Sequence, residues 1–246
     1  MKFISFISVL LAIGVYSAKL PEYLKKCKKG TDNGDCVAVN EQAVVDALLK
    51  NSGEPKFKLQ GLTPIHVSRI DLQATPQLKV GLSEVDFFGF EHLKPTGGNI
   101  DADTLHIKSF LPHVEIIGKY DINGKILILP IQGQGNCNIT LVDFDVDYIA
   151  KLVVEERKGK KYYQVAADDN TTLKINNIKK VHWQFNNLFN GDERLGPEMN
   201  RFLNENWKDV FSEVQVAIEQ TAAYSIVNYF VNGYLHFIPI DELFEE

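Results

Sequence analysis

The sequence contains no run of more than two consecutive lysine or arginine residues, and basic side chains are the minority charge. Its 26 Lys and Arg residues are outnumbered by 32 Asp and Glu residues, which gives a formal net charge of −6 at pH 7. Nucleic acids and anionic membrane surfaces attract proteins through clusters of Lys and Arg. We therefore expect neither a nucleic-acid partner nor an anionic membrane surface as a partner.

The short motifs of common enzyme classes are also missing. There is no Gly-x-Ser-x-Gly elbow, His-Glu-x-x-His pair, phosphate-binding loop or dinucleotide glycine pattern. The six histidines are scattered without the spacing of metal ligands. Asp143, Asp145 and Asp147 resemble a ladder of calcium ligands, but they lack the glycine and terminal glutamate of a calcium loop. We expect no catalytic residues, no metal and no cofactor.

Long apolar runs are confined to the N-terminus. Lys2 precedes an apolar segment from Phe3 to Val15, and Tyr16-Ser17-Ala18 supplies small residues for a cleavage site. This pattern predicts a signal peptide over residues 1–18 and one secreted domain over residues 19–246. Nothing later in the sequence is apolar enough over a sufficient length to span a bilayer, so we expect no stable membrane insertion.

In a secreted protein, cysteines can form disulfides and Asn-x-Ser/Thr triplets can carry glycans. Cys27 and Cys36 flank a glycine-containing turn, and an oxidising compartment favours a disulfide between them. Cys137 is then a buried thiol; an intermolecular bridge and a catalytic nucleophile are the alternatives. The triplets begin at Asn138 and Asn170, and Asn170 follows a loop-like segment, which makes it the better glycan site.

A stretch near the C-terminus has the period of a helix. Its apolar residues recur every three or four positions from Met199 to Phe230, which predicts one helix from Pro197 to Asn232, ended by Gly233. The second half of this helix is apolar on nearly every side and must be enclosed. Shorter helices are predicted over Leu20–Lys28 and Val39–Lys50.

Between residues 58 and 189 the pattern changes to the period of two that is typical of β-strands. It predicts eight to ten strands with hairpins at Asn123-Gly124 and Lys158-Gly159. Such a sheet must curl or pack on something. We expect an α+β fold in which a highly curved antiparallel sheet wraps the long C-terminal helix. A plain sandwich with the helix outside is the alternative.

A curved sheet leaves space between itself and the helix, and space lined by apolar side chains is how small-ligand sites are built. A dry core is the simpler interpretation for any single apolar residue. Three functions remain open: a carrier of a hydrophobic ligand, a secreted signalling or interaction protein with a filled interior, and a lipid-ester hydrolase. The missing nucleophile motif argues against the hydrolase.

The segment from Leu188 to Lys208 (LFNGDERLGPEMNRFLNENWK) is the most specific one. It resembles the C-terminal motif of the insect takeout and juvenile-hormone-binding protein family. Ile65-His66-Val67, the Gly133-x-Gly135 stretch and Phe237-Ile238-Pro239 are also similar to that family. The resemblance covers essentially the whole mature chain.

The resemblance implies a tubular fold with an elongated hydrophobic tunnel, and an extracellular monomeric carrier of terpenoids or fatty-acid-like molecules in haemolymph or another secretion. The Cys27–Cys36 pair fits the family's N-terminal disulfide. Cys137 has no partner for the second disulfide of juvenile-hormone-binding proteins proper, a departure that favours the takeout branch. Combined with the apolar periodicity, the implied tunnel is predicted to be lined by Phe144, Trp183, Phe185, Phe202, Phe211, Val214, Ile218 and Ile226.

Overall fold

The computed structural model describes residues 18–30, 33–166 and 171–245, without the side chains of Ser225 and Ile226. The predicted signal peptide, except Ala18, and the predicted glycan site Asn170 lie outside these residues. The strands are β1 (Gly53–Glu54), β2 (Leu59–Gln60), β3 (Ile65–Thr75), β4 (Leu78–Phe88), β5 (Lys94–Ile100), β6 (Thr104–Ile126), β7 (Leu129–Arg157), β8 (Lys160–Val165), β9 (Thr172–Asn176) and β10 (Lys180–Phe185). The helices are α1 (Gly34–Lys50), α2 (Leu195–Glu205), α3 (Trp207–Ala222), α4 (Asn228–Leu235) and α5 (Ile240–Leu243), with a π-helical turn over Ala223–Val227.

Two very long strands form the centre of the main sheet. β6 has 23 residues and β7 has 29, and they pair antiparallel along almost their whole length. β5 and β4 follow one another along the free edge of β6, and β3 pairs with β4. β8, β9 and β10 follow one another along the free edge of β7. Every pairing in this sheet is antiparallel, as predicted.

Local irregularities bend the sheet. The β6–β7 ladder is interrupted between Leu111, opposite Phe144, and His113, opposite Val142; the register is unchanged, and Pro112 and Asp143 lie opposite each other outside the ladder. Pro112 has no N–H to donate, and Asp143 adopts a φ of 46°. A register shift lies in the β4–β6 pairing between Ser83 and Asp86, and Glu84 within it has a φ of 49°. Bulges of this kind bend a strand and increase its twist.

The C-terminal helices lie inside the curve. α3 contacts β3, which is at one end of the strand order, and also contacts β9 and β10 at the other. A helix can reach both ends of the sheet only from the concave side. The predicted α+β fold, a curved antiparallel sheet wrapped around the C-terminal helical segment, is confirmed, and the sandwich alternative is wrong.

The long helix is not continuous, and this part of the prediction was wrong. Asn206 has φ −107° and ψ 28°, so it ends α2 and precedes α3. Its backbone N–H and its side-chain amide both donate to the Phe202 carbonyl, at 3.0 and 2.9 Å, and this side-chain bond competes with the helical ladder. Gly233 does not end a helix either. It lies within α4, where a Cβ would come 2.3 Å from Leu59 Cδ2.

Several predicted boundaries also differ. Leu20–Lys28 forms turns rather than a helix, and α1 begins at Gly34 instead of Val39. The Asn123-Gly124 hairpin was wrong: both residues lie inside β6, and the chain reverses at Leu127–Ile128. The hairpin at Lys158-Gly159 is present between β7 and β8, where both residues have a positive φ.

Side chains of the helices hold the edge strands of the sheet. Asn200 accepts from the Phe185 N–H at 2.9 Å and donates to its carbonyl at 2.8 Å. Asn204 bonds Trp183 in the same way, at 2.9 and 2.7 Å. Spaced four apart on α2, these two asparagines take the place of a neighbouring strand along β10.

Candidate ligand-binding site

Two cavities lie between the sheet and the helices. The smaller has a volume of about 130 Å³ and lies under α2 and α3. Its lining is apolar and comes from five strands and the two helices. The polar groups among the lining residues are the Thr221 hydroxyl and the indole nitrogen of Trp183. Its lining consists of Ile70, Leu72, Ala74, Leu78, Val80, Leu82, Phe87, Ile116, Ile122, Ile126, Ile131, Ile139, Leu141, Val181, Trp183, Phe185, Leu203, Val210, Phe211, Val214, Ile218, Thr221 and Ala222.

The larger cavity has a volume of about 360 Å³ and lies between α1, the end of α3, α4 and the strands β5, β6, β7 and β9. Apolar side chains again form most of its wall. A few polar or titratable side chains also reach it: Lys25, Asn40, Glu41, Ser109, Tyr148 and Tyr234. The two halves of the interior therefore differ in chemistry.

The two cavities share part of their wall. Five residues line both of them: Phe87, Ile116, Leu141, Ile218 and Ala222. Ile218 and Ala222 are one turn apart on α3 and face the sheet residues of this shared wall. Rotation of an apolar side chain is a small movement compared with displacement of a backbone segment, so the two cavities form the two ends of one apolar interior.

The structure brings together most of the residues predicted to line the tunnel. Trp183, Phe185, Phe211, Val214 and Ile218 line the smaller cavity. Phe144 and Ile218 line the larger one. Phe202 packs against the core and lines neither cavity. The Ile226 side chain is outside the described part of the structure.

The carboxyl group of Glu41 is the polar group that most distinguishes the larger cavity. One of its oxygens, Oε1, accepts a hydrogen bond from Ser109 Oγ at 2.5 Å, and Ser109 is 3% exposed. The other oxygen, Oε2, is buried without a hydrogen-bond partner among the described residues. Burial raises the pKa of Glu41 to about 7 from an ordinary 4.5, and the bond from Ser109 acts in the opposite direction.

Sequence reasoning missed Glu41, although a signal for it was present. With α1 beginning at Gly34, the inner face of the helix reads Val37, Glu41, Val45 and Leu48, at steps of four, four and three. A glutamate in the middle of such an apolar stripe is expected to be buried. The predicted start at Val39 removed Val37 from the pattern, and Glu41 then fell in the first turn, where acidic residues are common.

The other polar groups at the larger cavity have partners. Tyr148 donates from its hydroxyl to Asn228 Oδ1 at 2.5 Å, and burial raises its pKa well above the ordinary value. Tyr234 Oη lies 3.1 Å from Tyr23 Oη. Lys25 is exposed. Glu41 is therefore the lining residue with a buried unsatisfied carboxyl oxygen.

The cysteines and the first glycosylation triplet are placed as follows. Cys27 and Cys36 form a disulfide, and Cys137 is a buried free thiol whose pKa burial raises to about 11. Asn138 lies in β7, half-buried, and its amide donates to Glu115 Oε1 at 2.6 Å.

Within residues 18–30, 33–166 and 171–245, no group of three or more His, Cys, Asp or Glu residues could hold a metal ion. No helix in this part of the chain is long and apolar enough to cross a membrane.

Comparison with known proteins gives consistent results. Circadian clock-controlled protein daywake of Drosophila melanogaster is 27% identical over 243 residues, covering 94% of this chain and 90% of that protein. The daywake protein of Drosophila yakuba is 25% identical, with 93% and 90% covered. The crystal structure of Epiphyas postvittana Takeout 1 has the same fold, with a TM-score of 0.75 at 22% identity, and the match covers 91% of this chain and 100% of that one.

The sequence model of one family spans nearly the whole chain. It is described as haemolymph juvenile hormone binding protein, and it matches residues 6–245. The match runs through every strand of the curved sheet and all of the C-terminal helices that enclose the two cavities. The chain belongs to the haemolymph juvenile hormone binding protein family.

Proposed function

We propose that this protein is a secreted, monomeric carrier that binds one small hydrophobic ligand, a terpenoid or a fatty-acid-like lipid, in its interior. The observation that supports the proposal best is the pair of adjoining apolar cavities enclosed by the sheet and the helices. Membership of a family named for juvenile hormone binding supports the same class of ligand. The predicted signal peptide and the Cys27–Cys36 disulfide support the secreted location.

Burial of the ligand would supply the affinity. Each methylene group moved from water into an apolar site contributes about 0.8 kcal/mol, so ten of them contribute on the order of 8 kcal/mol before the costs of association. A net free energy of about 8 kcal/mol corresponds to a dissociation constant of about 1 μM, so a ligand must bury more than about ten methylene groups to reach that affinity after the costs of association. In this proposal Trp183, Phe185, Phe211, Val214 and Ile218 contact one end of the ligand. Phe144 and the inner face of α1 contact the other.

Binding without chemical turnover is part of the proposal. A serine hydrolase needs a base beside its nucleophile, most often a histidine. Ser109 is the serine that reaches the larger cavity, and no histidine is found among the described residues lining either cavity. The Ser109 hydroxyl donates to Glu41, whose raised pKa makes it a carboxylic acid for part of the neutral range.

The decisive experiment is native mass spectrometry of the protein purified from the medium of insect cells, followed by identification of whatever is released on denaturation. We expect an adduct of some hundreds of daltons that is hydrophobic and non-covalent. Protein extracted with organic solvent and refolded serves as the empty control and should take up an added fatty alcohol or terpenoid. A bare polypeptide that takes up neither would favour a signalling or interaction protein with a filled interior.

Glycosylation can be tested on the same material. We propose Asn170 as the modified residue, because the amide nitrogen of Asn138, which a glycan would use, lies in a central strand and is engaged by Glu115. The Asn170→Gln variant should lose the mass of one glycan, and Asn138→Gln should keep it. The reverse result would assign the glycan to β7.

A further inference from the structure

We propose that Glu41 binds the polar end of the ligand in the larger cavity, and that the ligand is a long apolar alcohol whose terminal hydroxyl bonds to Glu41 Oε2. This inference rests on the proposed carrier function and adds a chemical class to it. It also gives the ligand an orientation. The hydroxyl lies beside α1 and β6, and the apolar chain extends past Ile218 toward the smaller cavity.

The first argument is the incomplete hydrogen bonding of a half-buried acid, one of whose oxygens is buried. Glu41 Oε2 is buried and has no partner, while Oε1 is held by Ser109. A buried polar atom left without a hydrogen bond has a considerable free-energy cost, and most such atoms in proteins are paired. Because the residue lines a cavity, a ligand group can reach it and supply the missing bond.

A buried glutamate elsewhere in the same protein, Glu219, shows what a structural role looks like. Glu219 is 2% exposed, and both of its oxygens have partners. Oε1 accepts from the Ile175 N–H at 2.9 Å and from Gln215 Nε2 at 2.8 Å, and Oε2 accepts from Lys174 Nζ at 2.9 Å. Glu219 joins α3 to β9 and is fully satisfied. Glu41 has one bond of this kind, from Ser109, and its other oxygen has no partner among the described residues.

The chemistry of the carboxyl group selects the alcohol. A hydroxyl both donates and accepts, so it can donate to Glu41 when the acid is ionised and accept from it when the acid is protonated. An ether or ester oxygen only accepts, and it can bond only to the protonated form. A fatty-acid carboxylate would place a second negative charge beside Glu41 in an apolar site.

The surroundings leave Glu41 without a strong counter-charge. The other titratable side chains at the cavity are Lys25 from the N-terminal segment, Tyr148 from β7 and Tyr234 from α4. Lys25 is exposed, and both tyrosine hydroxyls have other partners. In β6, Ile107, Ser109 and Leu111 line the cavity, so the intervening His106 and Lys108 alternate to the opposite face of the strand. The ligand hydroxyl is therefore the partner best placed for Oε2.

The test compares dodecanol with dodecyl methyl ether, which has the same chain but no hydroxyl donor. Affinities are measured by displacement of the neutral dye N-phenylnaphthylamine at about pH 9, where Glu41 is ionised. We expect the wild-type protein to prefer the alcohol roughly tenfold, the effect of one hydrogen bond to a charged group. Toward about pH 5 the preference should shrink, because protonated Glu41 can also donate to the ether.

Three variants separate this role from a structural one. Glu41→Leu should bind both ligands equally at both pH values, because the apolar lining is kept and the carboxyl is gone. Glu41→Gln should show the same small preference at both pH values, because its amide does not titrate and can donate to the ether as well as to the alcohol. The matched control is Asp46→Leu, which removes an exposed carboxylate from the same helix and should retain the wild-type preference and its pH dependence.

The failure of this inference is distinct from the failure of the carrier function. Equal binding of the two ligands by the wild-type protein, or an alcohol preference that persists in Glu41→Leu, would overturn the role of Glu41 and leave the carrier function intact. If neither ligand displaces the dye from the wild-type protein, the carrier function itself is overturned, and the inference with it.

Discussion

The two ends of the interior differ in what they can recognise. The smaller cavity, under α2 and α3, has Thr221 and the Trp183 indole nitrogen as its polar groups in an otherwise apolar lining. The larger cavity, beside α1, contains the Glu41–Ser109 pair and two tyrosines. An apolar surface discriminates poorly between molecules of similar size, because each methylene changes the binding free energy only modestly. A partly satisfied carboxyl group can reject a molecule that lacks the right hydrogen bond. In the proposed carrier we therefore expect the smaller end to discriminate by chain length and the larger end to discriminate by head group.

The largest effect is expected from filling the space at the wall that both cavities share. Ile218→Trp places an indole where a four-carbon side chain now lies between the two ends. For a long-chain alcohol we expect an affinity loss of about a hundredfold, since excluding four methylenes costs about 3 kcal/mol. An alcohol short enough to fit the larger cavity should lose little. Isothermal titration with alcohols of increasing length measures both effects.

The control for this variant is Val216→Trp, two residues away on α3. Val216 is 57% exposed, so its replacement should leave the affinity for long and short alcohols unchanged. Equal weakening for all chain lengths in Ile218→Trp would show that the two cavities do not share one ligand.

The second prediction concerns the polar end without any ligand. A carboxyl whose pKa is raised on folding holds its proton more tightly in the folded protein than in the unfolded chain. The free energy of unfolding should therefore fall as pH rises from the ordinary value of 4.5 through the folded value of about 7. The contribution of Glu41 to this fall is about 2–3 kcal/mol, and Glu41→Gln should remove it.

Urea denaturation at about pH 5 and about pH 8 measures this difference. Asp46→Asn is the control on the solvent side of α1 and should keep the wild-type profile. Parallel profiles for the wild-type protein and Glu41→Gln would mean that the carboxyl titrates normally, and the contrast between the two cavities would disappear.

A third prediction compares the hydrogen bonds that hold the C-terminal helical segment to the sheet at α2 and at α4. Asn204→Ala leaves both the N–H and the carbonyl of Trp183 without their partner, which should lower the free energy of unfolding by about 2–3 kcal/mol. Asn232 supplies one bond, accepted from the Val165 N–H at 3.0 Å, so Asn232→Ala should cost about 1 kcal/mol. Equal costs would indicate that the two ends of the helical segment are held equally.

The smallest expected effect concerns the hydrogen bond from Ser109 to Glu41 in the larger cavity. Ser109 lowers the pKa of Glu41 through its hydrogen bond, so Ser109→Ala should move that pKa upward by less than about one unit. Titration of the Glu41 carboxyl carbon by NMR follows the change directly. A downward movement would mean that the hydroxyl is not donating to the carboxylate.

The sequence was sufficient for the fold class and for much of the apolar wall. The three- and four-residue steps from Met199 to Phe230 report a buried helical face, and they correctly placed Phe211, Val214 and Ile218 opposite the sheet. The period of two placed Trp183 and Phe185 on one face of β10 in the same way. These periodicities can be read from the sequence because a helix or strand must bury one whole face, whichever element it packs against.

Other features depend on contacts that no local pattern contains. Asn123-Gly124 has the composition of a hairpin turn, yet the pairing of β6 with β7 continues through it and the turn lies at Leu127–Ile128. Asn206 interrupts the helix through a side-chain bond to Phe202. The polar group at the larger cavity was missed because the start of α1 was placed five residues too late.

The asparagines that α2 presents to β10 also affect how the molecule behaves at high concentration. The outer edge of a sheet offers a row of free N–H and C=O groups to which a strand of another molecule can add. In β10 the groups of Trp183 and Phe185 are already bonded within the same chain. A second molecule cannot extend the sheet there without first displacing a helix, so crowded copies of the protein are kept from joining along this edge.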